Sequence, residues 1–550
     1  MIRPYFPTAA ERADALLGTF TIRGETVALH VPIDWHQDPF GNRSWRMSLH
    51  ALEALKPLLV HYQETDEVVA LEHARDLALD WIDHNRRGAR GLSEFAWYDM
   101  AVAYRAARLA YLYRALEYEQ LMTADQRKRL GCSVSEHAYW LHDNSNYAYR
   151  NNHGLYSDAS LFIVAEQLDL HPDADAWRRR ATARFVENVT STVSVQDGVH
   201  LEHSPAYHIL ISEILEQLIN ELGLGGEQLR ALLEKMTAAA PWFVMPDGFY
   251  PQFGDTDLGR PSQWVLDAAG EHIGFKAFLD AGAAVYRDDA SYFMTTAWYH
   301  SVGHKHADET SFVWAENGRR LIVDSGRYGY FYDEPGRSYA VSSPAHNTLT
   351  IDPPFRLMFH DPYGSGVIDA ATSGGWHAVL LKNPLLSLQP LQYRRVFAYR
   401  PGRWLVVVDQ LMVFGPLLDY ICPTSTRRFH FAPRLEEAQR EDSAVLLADD
   451  QDSVWLQTAA PPDELRAIRG QTQPTVQGFT FPSERNWVEN TAVEIEARVC
   501  NEPMVVALSA GEETRPVLTA TTQHNDVYIE IDDQRLRLEY GDDLLTLTVE

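Results

Sequence analysis

Apolar residues recur every three or four positions through most of the first half of the chain, which is the spacing of amphipathic α-helices. Breaks containing Gly, Pro or Asp separate these stretches, and no alternation typical of β-strands is expected between them. Many helices joined by short loops are typical of a helical toroid or solenoid. The predicted helices are Trp45–Tyr62, Glu72–Ile82, Trp97–Tyr118, Val134–Leu141, Leu161–Leu168, Trp177–Val186, Ile209–Leu222 and Leu229–Phe243.

From about residue 290 the pattern changes to short runs rich in β-branched and aromatic residues, separated by turn signals such as Asn317-Gly318 and Gly541-Asp542. Such runs predict an antiparallel β region of two packed sheets. We therefore expect a helical domain over 1–285 and a β-sandwich domain over 286–550. The predicted strands are Ser311–Trp314, Arg320–Val323, Thr348–Ile351, Arg395–Tyr399, Trp404–Val408, Ser453–Leu456, Val527–Ile531 and Leu544–Val549.

Composition changes this picture little. A chain of 550 residues is too long for one compact core, which predicts two or three domains. An apolar share of 45% is typical of globular proteins. No apolar run approaches the ~20 residues that span a bilayer. The N-terminus lacks the basic and apolar regions of a signal peptide, so a cytoplasmic protein is expected, or a periplasmic or secreted one if an export signal has been lost. The three cysteines, Cys132, Cys422 and Cys500, are far apart, which predicts buried small residues rather than disulfides or metal ligands.

The chain is strongly acidic, with 76 Asp and Glu against 48 Lys and Arg and a net charge of −28. A field of that sign repels polyanions, so nucleic acid is not an expected partner. Any polyanionic ligand would need a locally basic cleft.

The densest group of chemically active residues is GHKHAD (303–308), followed by VDSG (323–326) and PAHN (344–347). Histidines with a carboxylate form a ligand set that zinc takes. On an extended segment His304 and His306 would point to the same side. A two-residue turn at Asn317-Gly318 would pair Asp324 with Ser311 and not with His306. Asp324 and His306 could therefore share a metal ion only if the chain bends after His306. The alternative is a His-x-His segment that binds no metal.

A second group, YRNNHG (149–154), predicts a loop that opens the next helix. Its asparagines and His153 can donate hydrogen bonds to a carboxylate. The alternative is that Asn151 or Asn152 caps the helix.

A third group, DGVHLEHSPAYH (197–208), places histidines, a carboxylate and Tyr207 just before a helix. A tyrosine acts as acid or base only where its surroundings lower a pKa near ~10. The alternative is a capped turn with Tyr207 half-buried.

Taken in this order, the motifs resemble the heparinase II/III superfamily of polysaccharide lyases. The resemblance is strongest over HKHADETSFVWAENGRRLIVDSGRYGY (304–330) and continues to Asn347. It begins at IDW (33–35) with Trp45, and includes WYD (97–99) with Arg105 and the two groups around His153 and Tyr207. The resemblance implies an (α/α) toroid followed by an antiparallel β-sandwich.

The resemblance also implies roles for individual residues. His306, Asp324 and His346 match zinc ligands, one structural ion per chain. Tyr207 matches the catalytic tyrosine, with His304 as a second proton-transfer residue. Asn152 and His153 match the groups that neutralise a uronate carboxylate. The remaining positions, which are expected to bind substrate, are Arg105, Glu202, His203, Tyr330, Tyr332, Arg337 and Tyr339.

The implied activity is β-elimination on a uronic-acid-containing polysaccharide or oligosaccharide. The net charge favours glycans that carry only carboxylates over heavily sulfated ones. The sequence leaves the oligomeric state open, with a homodimer as one expectation.

Two alternatives remain at this point. A glycoside hydrolase would need two carboxylates flanking the bond, and Glu202 and Asp99 are available without being visibly paired. A non-catalytic glycan-binding protein would keep the fold and show binding without turnover.

Overall fold

The computed structural model describes residues 7–150, 152–352, 362–386, 391–413, 423–498, 501–512, 514–523, 526–541 and 543–550. The predicted positions Asn151, Cys422, Cys500 and Asp542 lie outside these residues. The chain forms two compact units. The first comprises Met1–Thr192 with Glu213–Ala231, and the second comprises Val193–Ser212 with Leu232–Glu550.

Helices dominate the chain up to Ala269, as the apolar spacing predicts. Capping boxes begin two of them: Thr8 accepts the Glu11 N–H, and Thr123 accepts the Gln126 N–H. The helices are α1 Ala9–Leu16, α2 Arg43–His50, α3 Leu55–Thr65, α4 Val68–His84, α5 Asp99–Tyr118, α6 Ala124–His142, α7 Asn152–Gln167, α8 Ala174–Thr192, α9 Pro205–Asn220, α10 Gly226–Ala239, α11 Gln263–Ala269 and α12 Pro335–Ala340.

Two details of the helical half differ from the prediction. The expected helix Trp45–Tyr62 is broken into α2 and α3, because Leu52 has a left-handed backbone conformation (φ 55°) that a helix cannot continue through. A short antiparallel hairpin also precedes α2, pairing Thr19–Ile22 with Glu25–Ala28. Its four-residue strands are too short to give a visible alternation of apolar and polar residues.

Strands run from Gly274 to the end of the chain and contain every predicted strand or overlap it. Numbered after the hairpin β1 Thr19–Ile22 and β2 Glu25–Ala28, they are β3 Gly274–Phe278, β4 Ala283–Arg287, β5 Tyr292–Thr296, β6 Trp298–Tyr299, β7 Phe312–Glu316, β8 Arg319–Ile322, β9 Leu349–Asp352, β10 Gly364–Ser365, β11 Val367–Ser373, β12 Trp376–Lys382, β13 Leu391–Arg400, β14 Trp404–Val413, β15 Thr424–His430, β16 Glu436–Glu441, β17 Ala444–Ala448, β18 Ser453–Thr458, β19 Glu464–Arg469, β20 Phe479–Thr480, β21 Val488–Glu489, β22 Thr491–Ala497, β23 Pro503–Ala510, β24 Leu518–Gln523, β25 Asp526–Ile531, β26 Gln534–Tyr540 and β27 Leu545–Val549.

The central layer of the second unit is an eight-stranded antiparallel sheet in the order β11-β12-β13-β14-β23-β18-β17-β16. Its side chains alternate between two cores. Leu405 and Val407 pack with the sheets β3-β4-β5-β7-β8 and β19-β22-β15-β9, whereas Trp404 and Val406 pack against the sheet β24-β25-β26-β27. Burial on both faces explains why β14 is a nearly continuous apolar run.

The predicted turn at Asn317-Gly318 is present, with both residues at positive φ (53° and 69°), and it joins β7 to β8. Glu316 pairs with Arg319, and a bulge then shifts the register between Trp314 and Ala315. The second strand ends at Ile322, so Asp324 lies beyond the hairpin and the expected pairing of Asp324 with Ser311 is not formed, because the bulge shifts the register. Within the described residues, no helix has the length and apolar character needed to cross a membrane.

Candidate active site

Tyr207 lies in the first turn of α9, at a helix start that the local sequence specifies. The Ser204 hydroxyl accepts the Tyr207 N–H at 3.3 Å and hydrogen-bonds the Thr256 hydroxyl at 2.7 Å. Pro205 occupies the first helical position, where its missing N–H costs nothing. The cap therefore fixes the backbone of Tyr207 relative to the segment around Thr256.

The Tyr207 ring stacks on the imidazole of His304, with ring centroids 3.8 Å apart and an angle of 23° between the planes. Its hydroxyl lies 3.1 Å from the hydroxyl of Tyr330, which in turn lies 3.2 Å from His304 Nδ1. Two predicted catalytic residues and one predicted cleft tyrosine thus meet in one cluster, which we call the tyrosine–histidine cluster: Tyr207, His304 and Tyr330.

The imidazole of His304 lies between two carboxylates. Its Nδ1 is 3.0 Å from Asp255 Oδ2, and its Nε2 is 3.3 Å from Glu202 Oε2. Burial alone would lower the pKa of His304, but Tyr207, Asp255 and Glu202 together raise it to about 10. With a carboxylate beside each ring nitrogen and a raised pKa, His304 carries positive charge beside the Tyr207 ring. This arrangement favours charge stabilisation or proton donation by His304 over the abstraction of a proton.

Asp255 is the residue that sequence reasoning missed. Besides His304, its carboxylate contacts His306 Nε2 at 2.9 Å and accepts a hydrogen bond from Arg337 Nη1 at 2.6 Å. Burial would raise the pKa of Asp255, but the hydrogen bonds from His304 and His306 hold it well below the usual range. The signal that could have found it is GDTD (254–257), two carboxylates in a glycine turn outside any predicted element.

Gly254 lets Asp255 approach the two histidines. Its φ is +52°, and an added Cβ would lie 2.4 Å from the His203 carbonyl oxygen and 2.7 Å from that of His304.

Gly254→Ala is therefore expected to displace the Asp255 carboxylate and to lower kcat by about tenfold or more, since small displacements of positioning groups have effects of this size. Steady-state kinetics measure this loss, and Gly88→Ala, at a positive φ with open space around the Cβ, is the control. Unchanged kcat in Gly254→Ala would contradict the positioning role.

The three predicted metal ligands are all buried. His346 Nδ1 lies 2.8 Å from Asp324 Oδ2, whereas His306 Nε2 is bound to Asp255, and the two imidazole centroids are 5.5 Å apart. Burial lowers the pKa of His306, while Asp324 outweighs burial and raises that of His346. Within the part of the chain that the structure describes, His306 Nδ1 and His346 Nε2 have no hydrogen-bond partner.

The donor chemistry of these residues therefore fits zinc, since each histidine keeps one buried nitrogen available. Their arrangement is less complete: no three His, Cys, Asp or Glu side chains among the described residues converge as a metal-binding group. Zinc bound by His306, Asp324 and His346 stays a prediction.

The first unit contains the other predicted catalytic pair. His153 Nδ1 lies 2.8 Å from Asp99 Oδ2, so the start of α5 orients a half-exposed imidazole at the start of α7. Asn152 is the first residue of α7 and is 8% exposed. The position after His153 requires a glycine, because a Cβ on residue Gly154 would lie 2.4 Å from the Ala148 carbonyl oxygen. The segment Asn152-His153-Gly154 thus combines close packing with a polar helix start.

Three predicted substrate-binding residues are buried, and their polar atoms form hydrogen bonds within the protein. Arg105 is fully buried and donates to His137 Nε2 and to the carbonyls of His50 and Ala96. His203 has both ring nitrogens engaged, by the Gly303 carbonyl and the His300 N–H, and burial lowers its pKa to about 3. The Tyr339 hydroxyl donates to Gln477. These contacts favour structural roles for the three side chains, so we do not propose that they bind substrate.

The other predicted positions lie at or near the tyrosine–histidine cluster. The Arg337 guanidinium lies 5.5 Å from the Tyr330 ring centroid and 5.8 Å from that of Tyr332. Tyr332 is 66% exposed, whereas Arg337 is 7% exposed and bound to Asp255. Glu202, which is 2% exposed, contacts His304. Tyr332 is therefore the side chain here with most of its ring available to a ligand.

The fold is similar to solved polysaccharide lyase structures. A structure described as heparinase III matches with a TM-score of 0.77 and 15% identity, covering 100% of this chain and 92% of that chain. Heparan sulfate lyase HepC from Pedobacter heparinus matches with a TM-score of 0.68 and 17% identity, covering 100% and 90%. The similarity confirms the predicted fold class, a helical toroid followed by an antiparallel β-sandwich.

Sequence comparisons extend to the family level. A curated heparin-sulfate lyase from Bacteroides stercoris is 22% identical over 438 residues, 69% of this chain, and the alignment spans 64% of that relative's length. The family model described as the heparinase II/III N-terminus matches residues 9–269. The model described as heparinase II/III-like, C-terminal, matches residues 272–500. Because the two models together cover most of the chain, this protein belongs to the heparinase II/III family.

Proposed function

We propose that this protein is a polysaccharide lyase that cleaves a uronic-acid-containing glycan by β-elimination. The observation that carries the proposal is the tyrosine–histidine cluster, in which the Tyr207 phenol stacks on a His304 imidazole held by two carboxylates. Membership of the heparinase II/III family and the names of the similar proteins support the same reaction.

The reaction needs a base, an acid and a stabiliser of negative charge. The base removes the C5 proton, the electron pair forms the C4=C5 double bond, and the C4–O bond breaks. The departing oxygen takes a proton, so no water is consumed. Tyr207 is assigned as the group that removes the C5 proton and returns it to the leaving oxygen when both lie on one face. Proton transfer by a positioned group contributes about 10²–10⁴-fold.

Negative charge develops on the uronate carboxylate as the C5 proton leaves. Asn152 and His153 are assigned as the donors that neutralise this carboxylate, with Asp99 orienting the His153 ring. His304 adds a positive charge next to the Tyr207 phenol. Tyr332, with its ring mostly exposed, is assigned to substrate contact.

The proposal is tested by incubating the protein with alginate, glucuronan, hyaluronan, chondroitin, dermatan and heparan, as polymers and as oligomers. The new double bond is conjugated with the carboxylate and absorbs in the ultraviolet, so a rising absorbance reports elimination. Sugar release without that absorbance would instead indicate hydrolysis. Binding of a glycan from the panel without either signal would contradict an enzymatic function.

The geometry gives the hydrolase alternative no support. A pair of carboxylates would have to flank the glycosidic bond. Glu202 is buried against His304, and Asp99 is bound to His153. Both carboxylates therefore orient histidines.

Zinc at His306, Asp324 and His346 is proposed as a structural ion that would join the segments carrying these residues. Elemental analysis of purified protein is expected to give about one zinc per chain, because zinc whose binding is coupled to folding is held tightly. In His346→Ala the zinc content is expected to fall, together with the free energy of unfolding. His171→Ala, a histidine of the first unit that is stacked on Trp177, is the control. Protein purified without chelator that contains no zinc would contradict this assignment.

A further inference from the structure

A groove of about 970 Å³ lies on the first unit, and none of its lining residues belongs to the proposed catalytic set. One wall is a single face of α6, whose residues Arg127, Gly131, Ser135 and Tyr139 recur at helical spacing. The opposite wall is the end of α4 and the residues that follow it. The groove thus lies between a partly exposed face of α6 and the segment at the end of α4.

The charge of this groove opposes that of the chain. Its lining contains five basic residues and two acidic residues, Asp83 and Glu136, whereas the whole chain carries −28. The basic residues are Arg86, Arg87, Arg127, Lys128 and Arg129. An acidic surface with a local basic groove is the arrangement that an anionic ligand of this chain requires.

Part of this charge is available to a ligand. Arg129 is paired with Asp83, and Arg127 lies 3.6 Å from Glu117. By contrast, Arg87 and Lys128 are exposed and have no salt-bridge partner among the described residues. Guanidinium groups bind carboxylates and sulfates through paired hydrogen bonds.

Aromatic rings complete the groove. Trp97 and Tyr113 line it half-buried, and Tyr139, at its end, is 49% exposed. The Tyr139 ring is fixed from one side by Trp177, with an edge-to-face contact at 5.4 Å. The polar atoms of the three rings donate to Asn85, Glu117 and Asp173, which holds the rings in place and leaves their apolar faces to the C–H faces of sugars.

We propose that this groove is a second binding site that takes a short anionic oligosaccharide, recognised through its carboxylates or sulfates. The volume suits several sugar rings, since ligand sites of about 300–1,000 Å³ hold molecules of that size. A long polyanion such as nucleic acid would meet the acidic remainder of the surface. The choice of a uronate-bearing ligand rests on the proposed lyase function.

Cys132 is exposed rather than buried as its sequence context predicted, and because it lines the groove it provides a local readout. The full chain carrying Tyr207→Phe, which prevents consumption of the ligand, is treated with iodoacetamide, and alkylation of the Cys132 peptide is followed by mass spectrometry. The ligands are tetraglucuronic acid, a sulfated heparan tetrasaccharide, neutral maltotetraose and a thymidine hexanucleotide. At saturation an anionic tetrasaccharide is expected to slow alkylation of Cys132, and maltotetraose is expected to leave it unchanged. The two anionic sugars distinguish carboxylate from sulfate recognition.

Charge reversals then locate the ligand. Arg87→Glu and Lys128→Glu, made singly, are each expected to raise the half-protecting concentration by about tenfold or more, the size of one charge-assisted hydrogen bond. Neither change breaks a salt bridge within the described residues. Arg179→Glu, at an exposed position of α8 outside the groove lining, is the matched control and is expected to change nothing.

Three results would overturn the proposal: no protection by either anionic sugar at millimolar concentration, protection that persists in both reversals, or protection by the hexanucleotide alone. Failure of the lyase function has a different signature. In that case wild-type protein forms no double bond on any glycan, while the protection of Cys132 is still measured independently.

Discussion

Tyr207→Phe is expected to lower kcat/KM for elimination by about 10²–10⁴-fold, the contribution of a positioned acid–base group. The change removes only the hydroxyl, which lies 3.1 Å from the Tyr330 hydroxyl, and leaves the ring that stacks on His304. Because the N-cap by Ser204 and the stacking persist, the fold and substrate binding are expected to change little. The measurement is the initial rate of ultraviolet absorbance on the best substrate of the panel, with KM determined separately.

The matched control is Tyr118→Phe, which removes a phenolic hydroxyl from a side chain that is 82% exposed on α5. This variant is expected to retain wild-type activity. A companion variant, Tyr330→Phe, tests whether the neighbouring hydroxyl supports Tyr207 and is expected to show a smaller loss. Full activity of Tyr207→Phe on every cleaved substrate would remove Tyr207 from the mechanism.

Asp409→Asn is expected to lower the free energy of unfolding by about 3–5 kcal/mol, the cost of breaking a buried ion pair by removing one partner. Asp409 binds Arg395 at 2.7 Å and Arg427 at 3.1 Å, and all three side chains are at most 1% exposed. The Tyr393 hydroxyl also donates to it at 2.6 Å. Without the carboxylate charge, two guanidinium groups remain buried without their counterion.

The same variant is expected to change the pH dependence of stability. Burial would raise the pKa of Asp409, but Arg395 and Arg427 hold it below the ordinary value of 3.8. A depressed carboxyl pKa stabilises the fold above the ordinary value, and this stabilisation is lost as the pH falls through the folded-state pKa. Asp409→Asn removes this contribution. The difference in free energy of unfolding between wild type and Asp409→Asn is therefore expected to become smaller below about pH 4.

Urea unfolding followed by tryptophan fluorescence measures both effects. Asp450→Asn, at an exposed turn position, is the control and is expected to stay within about 0.5 kcal/mol of wild type. Equal stabilities of Asp409→Asn and wild type at neutral pH would show that the ion cluster contributes nothing. The ion pairs of Asp409 also support the segment that carries the predicted zinc ligand His346, because Arg395 donates to the carbonyl of the neighbouring Asn347 at 2.8 Å.

Much of the fold is predictable because its signals are local. Every predicted helix coincides with an observed one or overlaps it, and the β14 run, buried on both faces, is visible as unbroken apolar sequence. The turn at Asn317-Gly318 follows from residues that tolerate positive φ. The break between α2 and α3 was missed, because Leu52 has no preference for the left-handed conformation that tertiary packing imposes on it.

For the site, the sequence supplied the residue types but not their partners. The two hydroxyls of Tyr207 and Tyr330 meet although they are 123 positions apart, and Asp255 reaches His306 across 51 positions. The motif around Tyr207 suggested acid–base chemistry, yet nothing in it indicated that the residue would fold with the β-rich unit rather than with the helices before it. Likewise, Arg105 is indistinguishable from a substrate-binding arginine until its donors are traced to buried partners.

By itself the sequence determined the order of helices and strands, the turn that returns the chain toward Asp324, and the chemical inventory around His304 and His346. These depend on periodicity and on conformational preferences of neighbouring residues, which act over a few positions. Only the tertiary structure decided that Asp255 joins His304 to His306, that His304 stacks on Tyr207, and that basic residues of α6 and of the segment after α4 share one groove. Such contacts arise from packing between segments distant in the chain, and no local pattern encodes them.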